Sequence, residues 1–313
     1  MAETDRTPRR TRRSGTAAGV ALLALAALGA AGPAAPATAA ETRIIHFPVE
    51  KGRPAEQQRE SYQFKLLKLA LERSSLAYEL RPATRTMSQA RQKVALANRT
   101  GSIDVAWFGA SKRAESKLKP VYIPIFKGLL GWRIAFIHAD KQPAFRKVET
   151  LADLRAFNAI QGLSWPDTDI LRHSGIEVGE ARYDLLPRMI AGGRADWFPR
   201  SVIEIWPEKK RWQGQYPELA IERHFAVVYR FALLFYVAPG DDELHRAIRE
   251  GLKAAHADGS FDALFRNDPA VKKALAKANL SERTRIELPN PLITDALKAI
   301  PEKYWFDISA TGS

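Results

Sequence analysis

Gly101-Ser-Ile-Asp104-Val-Ala-Trp107-Phe108-Gly109 and Gly193-Arg-Ala-Asp196-Trp-Phe198-Pro-Arg200 decide how this chain is read. Each follows a segment with helical apolar spacing, turns at glycine, and runs from aspartate into an apolar, aromatic strand. The two aspartates lie 92 residues apart, far beyond a solenoid period, so the echo marks two similarly built α/β lobes rather than a repeat array. Two lobes imply a cleft, and clefts hold small ligands.

The first 39 residues are read as a targeting segment and kept out of the fold. Five arginines between Arg6 and Arg13 precede an apolar run over 17–31, and Pro33, Pro36 and Ala37-Thr38-Ala39 follow. That is the layout of a secretory signal cleaved near Ala39, and the paired arginines admit either general or twin-arginine export. An uncleaved anchor is the alternative, but the run is alanine-rich and shorter than the ~20 residues of a spanning helix. Cleavage leaves 274 of the 313 residues, which suits two lobes. The chain has no cysteine, which excludes disulfides, thiolate chemistry and a lipid-modified N-terminal cysteine. A soluble, monomeric periplasmic protein is expected.

The formal charge of +13 falls to about +10 without the leader. Its basic residues are scattered among acids, so nucleic acid is not an expected partner, whereas an anionic ligand stays open.

Strands over 43–47, 77–80 and 103–108 alternate with helices over 57–74 and 87–98, the grammar of a largely parallel sheet. From about residue 139 the grammar restarts. Thr150-Leu-Ala-Asp153 reads as a capping box, 159–163 as a strand, and Asp167 as the cap of the next helix. The β-branched and aromatic run 224–238 reads as a return strand, after which Asp241 caps a helix with Leu244, Ile248, Leu252 and Ala255 at helical spacing. The tail from 289, rich in Pro, Trp and Tyr, is expected to pack on a lobe.

Gly101-x-x-Asp104, Arg113, Pro124, the stretch 148–154, Gln161-Gly162, Ala191-Gly-Gly-Arg-Ala-Asp196 and the helical run Asp242 to Phe261 stand in a telling order. Over residues 41 to 266 the chain resembles a divergent member of the family 3 extracellular solute-binding proteins, the periplasmic receptors of polar amino acid ABC importers. The resemblance implies an α/β, type II periplasmic binding fold: two lobes, each a mostly parallel sheet flanked by helices, joined by crossing strands at 132–138 and 227–236. Lobe one would comprise 40–138 and 227–313, lobe two 139–226, with a ligand trapped by closure in the manner of a flytrap. The implied partners are a small-molecule ligand, a polar amino acid or other small carboxylate, and a membrane permease or sensor. No cofactor, metal or catalytic residue is implied.

In the family an arginine soon after the first Gly-x-x-Asp strand clamps the ligand carboxylate, and Arg113 holds the matching place beside Gly109 and Ser111; the other reading makes it a surface residue. Trp107 and Phe108 leave that strand toward the cleft, one of them serving as packing. Gly162 matches the glycine before a helix whose amides and a hydroxyl read the carboxylate, with Ser164 or Thr168 supplying the hydroxyl and Trp165 inserted between them; Thr168 reads equally as structural. Where amino-acid receptors carry an aspartate for the ligand ammonium, this chain has Ser201 preceded by Arg200. Glu204 or Glu50 substitutes, or the ligand is not a standard α-amino acid. Arg85 and Arg133 either add positive charge to the cleft or lie exposed. The expected ligand is a small anion.

Two other classes remain. Some proteins on this scaffold resemble cyclohexadienyl dehydratases, yet the chain offers no G-x-S-x-G elbow, H-E-x-x-H or phosphate loop, and its six histidines are scattered. A loaded receptor can also serve as the input to a membrane sensor kinase.

Overall fold

The computed structural model describes residues 41–49 and 54–308; the leader and Glu50 fall outside the described residues. Both halves of the echo perform one job. Gly101 and Gly193 adopt φ of +72° and +68°, backbone that favours glycine. Three residues on, Asp104 donates its N–H to His46 O at 2.9 Å and accepts from His46 N at 2.7 Å through Oδ2. Asp196 repeats this with Asn158, at 2.9 and 2.8 Å. Each aspartate therefore pins the start of its strand to a neighbouring segment.

In chain order the strands are β1 (Arg43–Phe47), β2 (Tyr78–Pro82), β3 (Val105–Gly109), β4 (Lys119–Val121), β5 (Trp132–His138), β6 (Ala159–Gly162), β7 (Val178–Ala181), β8 (Trp197–Ser201), β9 (Leu219–Ile221), β10 (Phe225–Val228), β11 (Leu233–Val237) and β12 (Thr284–Glu287). The helices used below are α1 (Tyr62–Glu72), α2 (Gln89–Ala97), α3 (Lys112–Glu115), α4 (Pro166–His173), α5 (Ile205–Trp212) and α6 (Asp242–Ala257). β1 and β2 pair in parallel, and β3, β11 and β4 form a three-stranded sheet. The larger sheet runs β12-β10-β5-β8-β6-β7, with β9 also on β5. Pairing is parallel within β7-β6-β8 and β10-β12, and antiparallel wherever β5 or β11 is a partner.

The expected crossing strand 227–236 is two strands. β10 belongs to the larger sheet and β11 to the smaller, and the chain changes sheets over 229–232. Tyr229 N donates to Gly131 O, so this switch lies against the entry to β5. A Cβ on Gly131 would stand 1.9 Å from Tyr229 O, so only glycine allows the two backbones this close. The outer edge of β10 is taken by β12, from Phe225↔Thr284 to Val228↔Glu287. Residues 284–287 thus join the larger sheet, although the sequence groups all of 227–313 with lobe one.

Local signals are satisfied where side chains cap backbone. Thr150 and Asp153 form the capping box, and Asp241 accepts from Leu244 N at the start of α6. Leu244, Ile248, Leu252 and Ala255 are all buried along α6. Asp167 does not cap α4: Pro166 opens that helix, Trp165 precedes it, and the carboxylate is used elsewhere.

Candidate functional site

β8 is buried along its whole length yet contains Pro199 and Arg200. Proline cannot donate to a ladder, and β6 pairs with β8 in register only at Ala159↔Trp197. Beyond that point the Gln161 side chain reaches Pro199 O at 3.4 Å. The carboxyl ends of β6 and β8 are thereby left without backbone pairing to each other, the place where open α/β sheets hold ligands.

Charged side chains fill that place. Arg133, at the start of β5, lies 2.6 Å from Asp167 Oδ1 and 3.3 Å from Glu204 Oε2. Tyr229 OH donates to the same Asp167 oxygen, and Arg133 stacks 5.6 Å from the Tyr229 ring and 5.8 Å from the Phe231 ring. Arg200 makes a bidentate pair with Glu208 at 2.8 and 2.7 Å, also meets Glu204 at 3.2 Å, and lies 4.6 Å over Trp165. Tyr183 OH donates to Glu208 at 2.7 Å. Burial works against both guanidinium charges, but their acids outweigh it and hold both above the usual arginine value. Burial, reinforced by the Glu208 charge, raises the Tyr183 hydroxyl. Three buried polar atoms here have no protein partner: Arg133 Nε, Thr168 Oγ1 and Gln161 Oε1.

A second group stands at the end of β3. Arg113 is exposed on α3, and half-buried Lys93 on α2 lies 5.0 Å over the Phe108 ring. Burial, and then the neighbouring Arg113 charge, lower the Lys93 ammonium from its ordinary value. Neither cation forms an ion pair among the described residues. Phe231 joins the two groups: its ring comes within 2.7 Å of where a Cβ on Gly109 would stand, and Arg133 lies 5.8 Å from the same ring.

No family model matches the sequence, and no curated protein matches it. Solved structures do. A probable amino-acid ABC transporter extracellular-binding protein from Bacillus subtilis superposes with a TM-score of 0.55 at 14% identity, covering 74% of this chain and 100% of that one. An ancestral arginine-binding protein bound to glutamine gives 0.51 at 15% identity, covering 74% and 99%. The same kind of ancestral protein bound to arginine gives 0.50 at 15% identity, covering 71% and 96%. The chain has the two-lobed periplasmic binding-protein fold.

Within this binding-protein fold the residues singled out by sequence fall into three sets. Arg200, Glu204, Trp165, Thr168 and Gly162 come together at the β6 and β8 ends. Gly109, Ser111 and Arg113 stand at the β3 end, where Ser111 Oγ caps α3 by accepting from Ala114 N. Trp107 and Phe108 are both core and neither walls a cleft: β3 is covered on both faces, with Trp107 edge-on to Phe235 and Phe108 tilted on Tyr236.

Several expected roles change. Arg200 is neutralised by Glu208 and Glu204 and does not present a bare cation. Ser201 Oγ is occupied, donating to Leu129 O at 2.9 Å. The Trp165 ring lies on Gly162, where a Cβ would come within 2.4 Å of it, so the indole covers that backbone. Ser164, at φ +63°, turns the loop and donates its N–H to Glu180. Arg133 is buried in the cluster, while Arg85 is exposed beside a 590 Å³ cavity near α2.

Asp167, Glu208, Tyr183, Tyr229, Phe231 and Lys93 are the members that sequence reasoning missed. Arg200, Glu204 and Glu208 stand four residues apart, a signal that pairing was available, but β8 ends at Ser201 and helical spacing was not the natural frame there. Asp167 was masked by its plausibility as a cap. Among the described residues, no helix is long and apolar enough to cross a membrane.

Proposed function

We propose that the chain is an exported, periplasmic solute-binding protein that captures a small anionic solute between the β3 end and the β6/β8 ends and hands it to a membrane permease or sensor. The fold supports capture by closure about segments 122–131 and 229–232, which connect the two sheets. The single observation that carries the anionic reading is the Lys93/Arg113 pair: two neighbouring cations, one of them half-buried, with no acid on either among the described residues. An anion between them would relieve repulsion and restore the charge that burial disfavours in Lys93.

The opposite side supports the same sign of ligand. Asp167 already supplies the carboxylate that Arg133 and Tyr229 hold, so an arriving acid is gripped from the β3 side and by the unpartnered Thr168 hydroxyl, with Trp165 and Phe231 as apolar walls. The solutes of the structurally similar proteins, arginine and glutamine, need a counter-charge for their ammonium. Among the grouped acids, Asp167 and Glu208 are committed to arginines, and Glu204 is shared between two. Protein purified from its native periplasm, denatured and analysed by mass spectrometry, is expected to release a small acid; release of arginine or lysine contradicts the assignment.

A further inference from the structure

We propose a second binding site, for a small aromatic carboxylate, in a cavity of about 390 Å³ between the C-terminal tail and the sheet-switch segment. It is lined by Trp132, Arg230, Arg285, Asn290, Trp305 and Phe306 among others, and it lies apart from Arg113, Thr168 and Arg200. The inference does not depend on the solute-capture reading, because it rests on different residues.

The tail builds this cavity through specific contacts. Trp305 lies on Gly128, whose φ of +80° and missing Cβ leave room for the indole; a Cβ there would stand 2.4 Å from the ring. Phe306 N donates to Lys127 O at 2.6 Å, and Trp305 Nε1 donates to Ile300 O at 3.3 Å. Asn290 Nδ2 donates to Arg230 O at 2.9 Å while its Oδ1 accepts from Leu292 N, so both ends of the amide are used in holding the wall.

The chemistry of the lining selects the ligand. Arg230 lies 4.4 Å over the Trp305 ring and Arg285 lies 5.2 Å over the Trp132 ring, so two guanidinium–indole stacks border one cavity. The neighbouring acids are already engaged: Glu302 with Arg230 at 2.6 Å, Glu287 with Arg285 at 2.5 Å, and Asp262 with Lys127 at 2.6 Å. Arg230 Nε is buried and has no acceptor. A donor without an acceptor, set among ring faces, fits a carboxylate carried on a planar apolar body. The volume falls in the range of small-molecule pockets.

Calorimetric titration of the full chain with benzoate, acetate and benzylamine tests this. Benzoate is expected to bind at one site, and Arg230→Gln to weaken it at least about tenfold, the scale of one charge-assisted hydrogen bond. Arg285→Gln, at a half-exposed position, gives the same direction should Arg230→Gln fail to fold. Acetate binding as tight as benzoate and equally weakened by Arg230→Gln, benzylamine binding as tight as benzoate, no benzoate binding at millimolar concentration, or loss of benzoate binding in Arg113→Ala but not in Arg230→Gln overturns the proposal.

Discussion

Arg133 Nη2 and Asp167 Oδ1 stand 2.6 Å apart with both side chains buried, and Tyr229 OH shares the carboxylate. The pair links the entry of β5 to the start of α4, and it places a carboxylate of the chain's own where a helix begins. Removing one partner leaves the other charge buried without compensation. Arg133→Met is expected to destabilise the protein by about 3–5 kcal/mol in urea unfolding. Arg133→Met combined with Asp167→Leu should recover most of that loss, since a matched apolar pair is often close to neutral.

Lys93 gives the opposite pattern. Its ammonium is disfavoured by burial and by Arg113, so Lys93→Met should leave the unfolding midpoint unchanged or higher. The same variant should weaken binding of a small acid by about tenfold, the scale of one charge-assisted hydrogen bond. A purely structural lysine would lower stability and leave affinity alone; calorimetry and urea unfolding on one preparation separate the two.

The fold was legible in sequence because its decisive residues act locally. Gly101 and Gly193 need left-handed backbone, Asp104 and Asp196 bind neighbouring amides, and the apolar period of α6 faces the core, all without reference to distant partners. The candidate site was legible only where the chain ends a strand. Arg200 and Glu204 were found because one stands at the end of β8 and the other just after it, but Arg133–Asp167 and Arg200–Glu208 depend on which segments the sheet brings together. Asp167 carries the lesson: at the start of a helix an aspartate suits a cap, and nothing local says that an arginine 34 residues earlier takes it instead. The split of 227–236 was hidden for a similar reason, since both halves are apolar and aromatic and the break shows in the close approach of Gly131 to Tyr229.

Gly251 tests the packing of α6 on α1. A Cβ there would lie 1.8 Å from Ala70 O, so α6 and α1 meet backbone to backbone. Alanine would gain up to about 1 kcal/mol of helix propensity, but must push the two helices apart, which costs about 1–3 kcal/mol and occasionally more. Gly251→Ala is therefore expected to lower the melting temperature despite its better helix propensity.

His256 gives the acid response a defined direction. It stacks 3.8 Å from Phe261 and meets Tyr304 edge-on at 4.5 Å, and its Nε2 is buried without a partner. Burial first, then the Lys127 and Lys303 charges, lower it from 6.5 to about 4, with Asp262 opposing. Between those values the unfolded chain binds a proton that the native state refuses, so stability falls as pH drops from 6.5 toward about 4. Urea midpoints across that window should show the fall in the parent protein and a shallower one in His256→Phe.

Lys93 and Arg113 are proposed to receive an anion. Thermal unfolding of the full chain with a panel of small mono- and dicarboxylates, set beside lysine and arginine, tests it most directly. An acid at a hundredfold excess over its Kd should add about 2.7 kcal/mol of stability, with the gain reduced in Lys93→Met and in Arg113→Ala. Stabilisation by lysine or arginine, with every acid inert, would contradict the account.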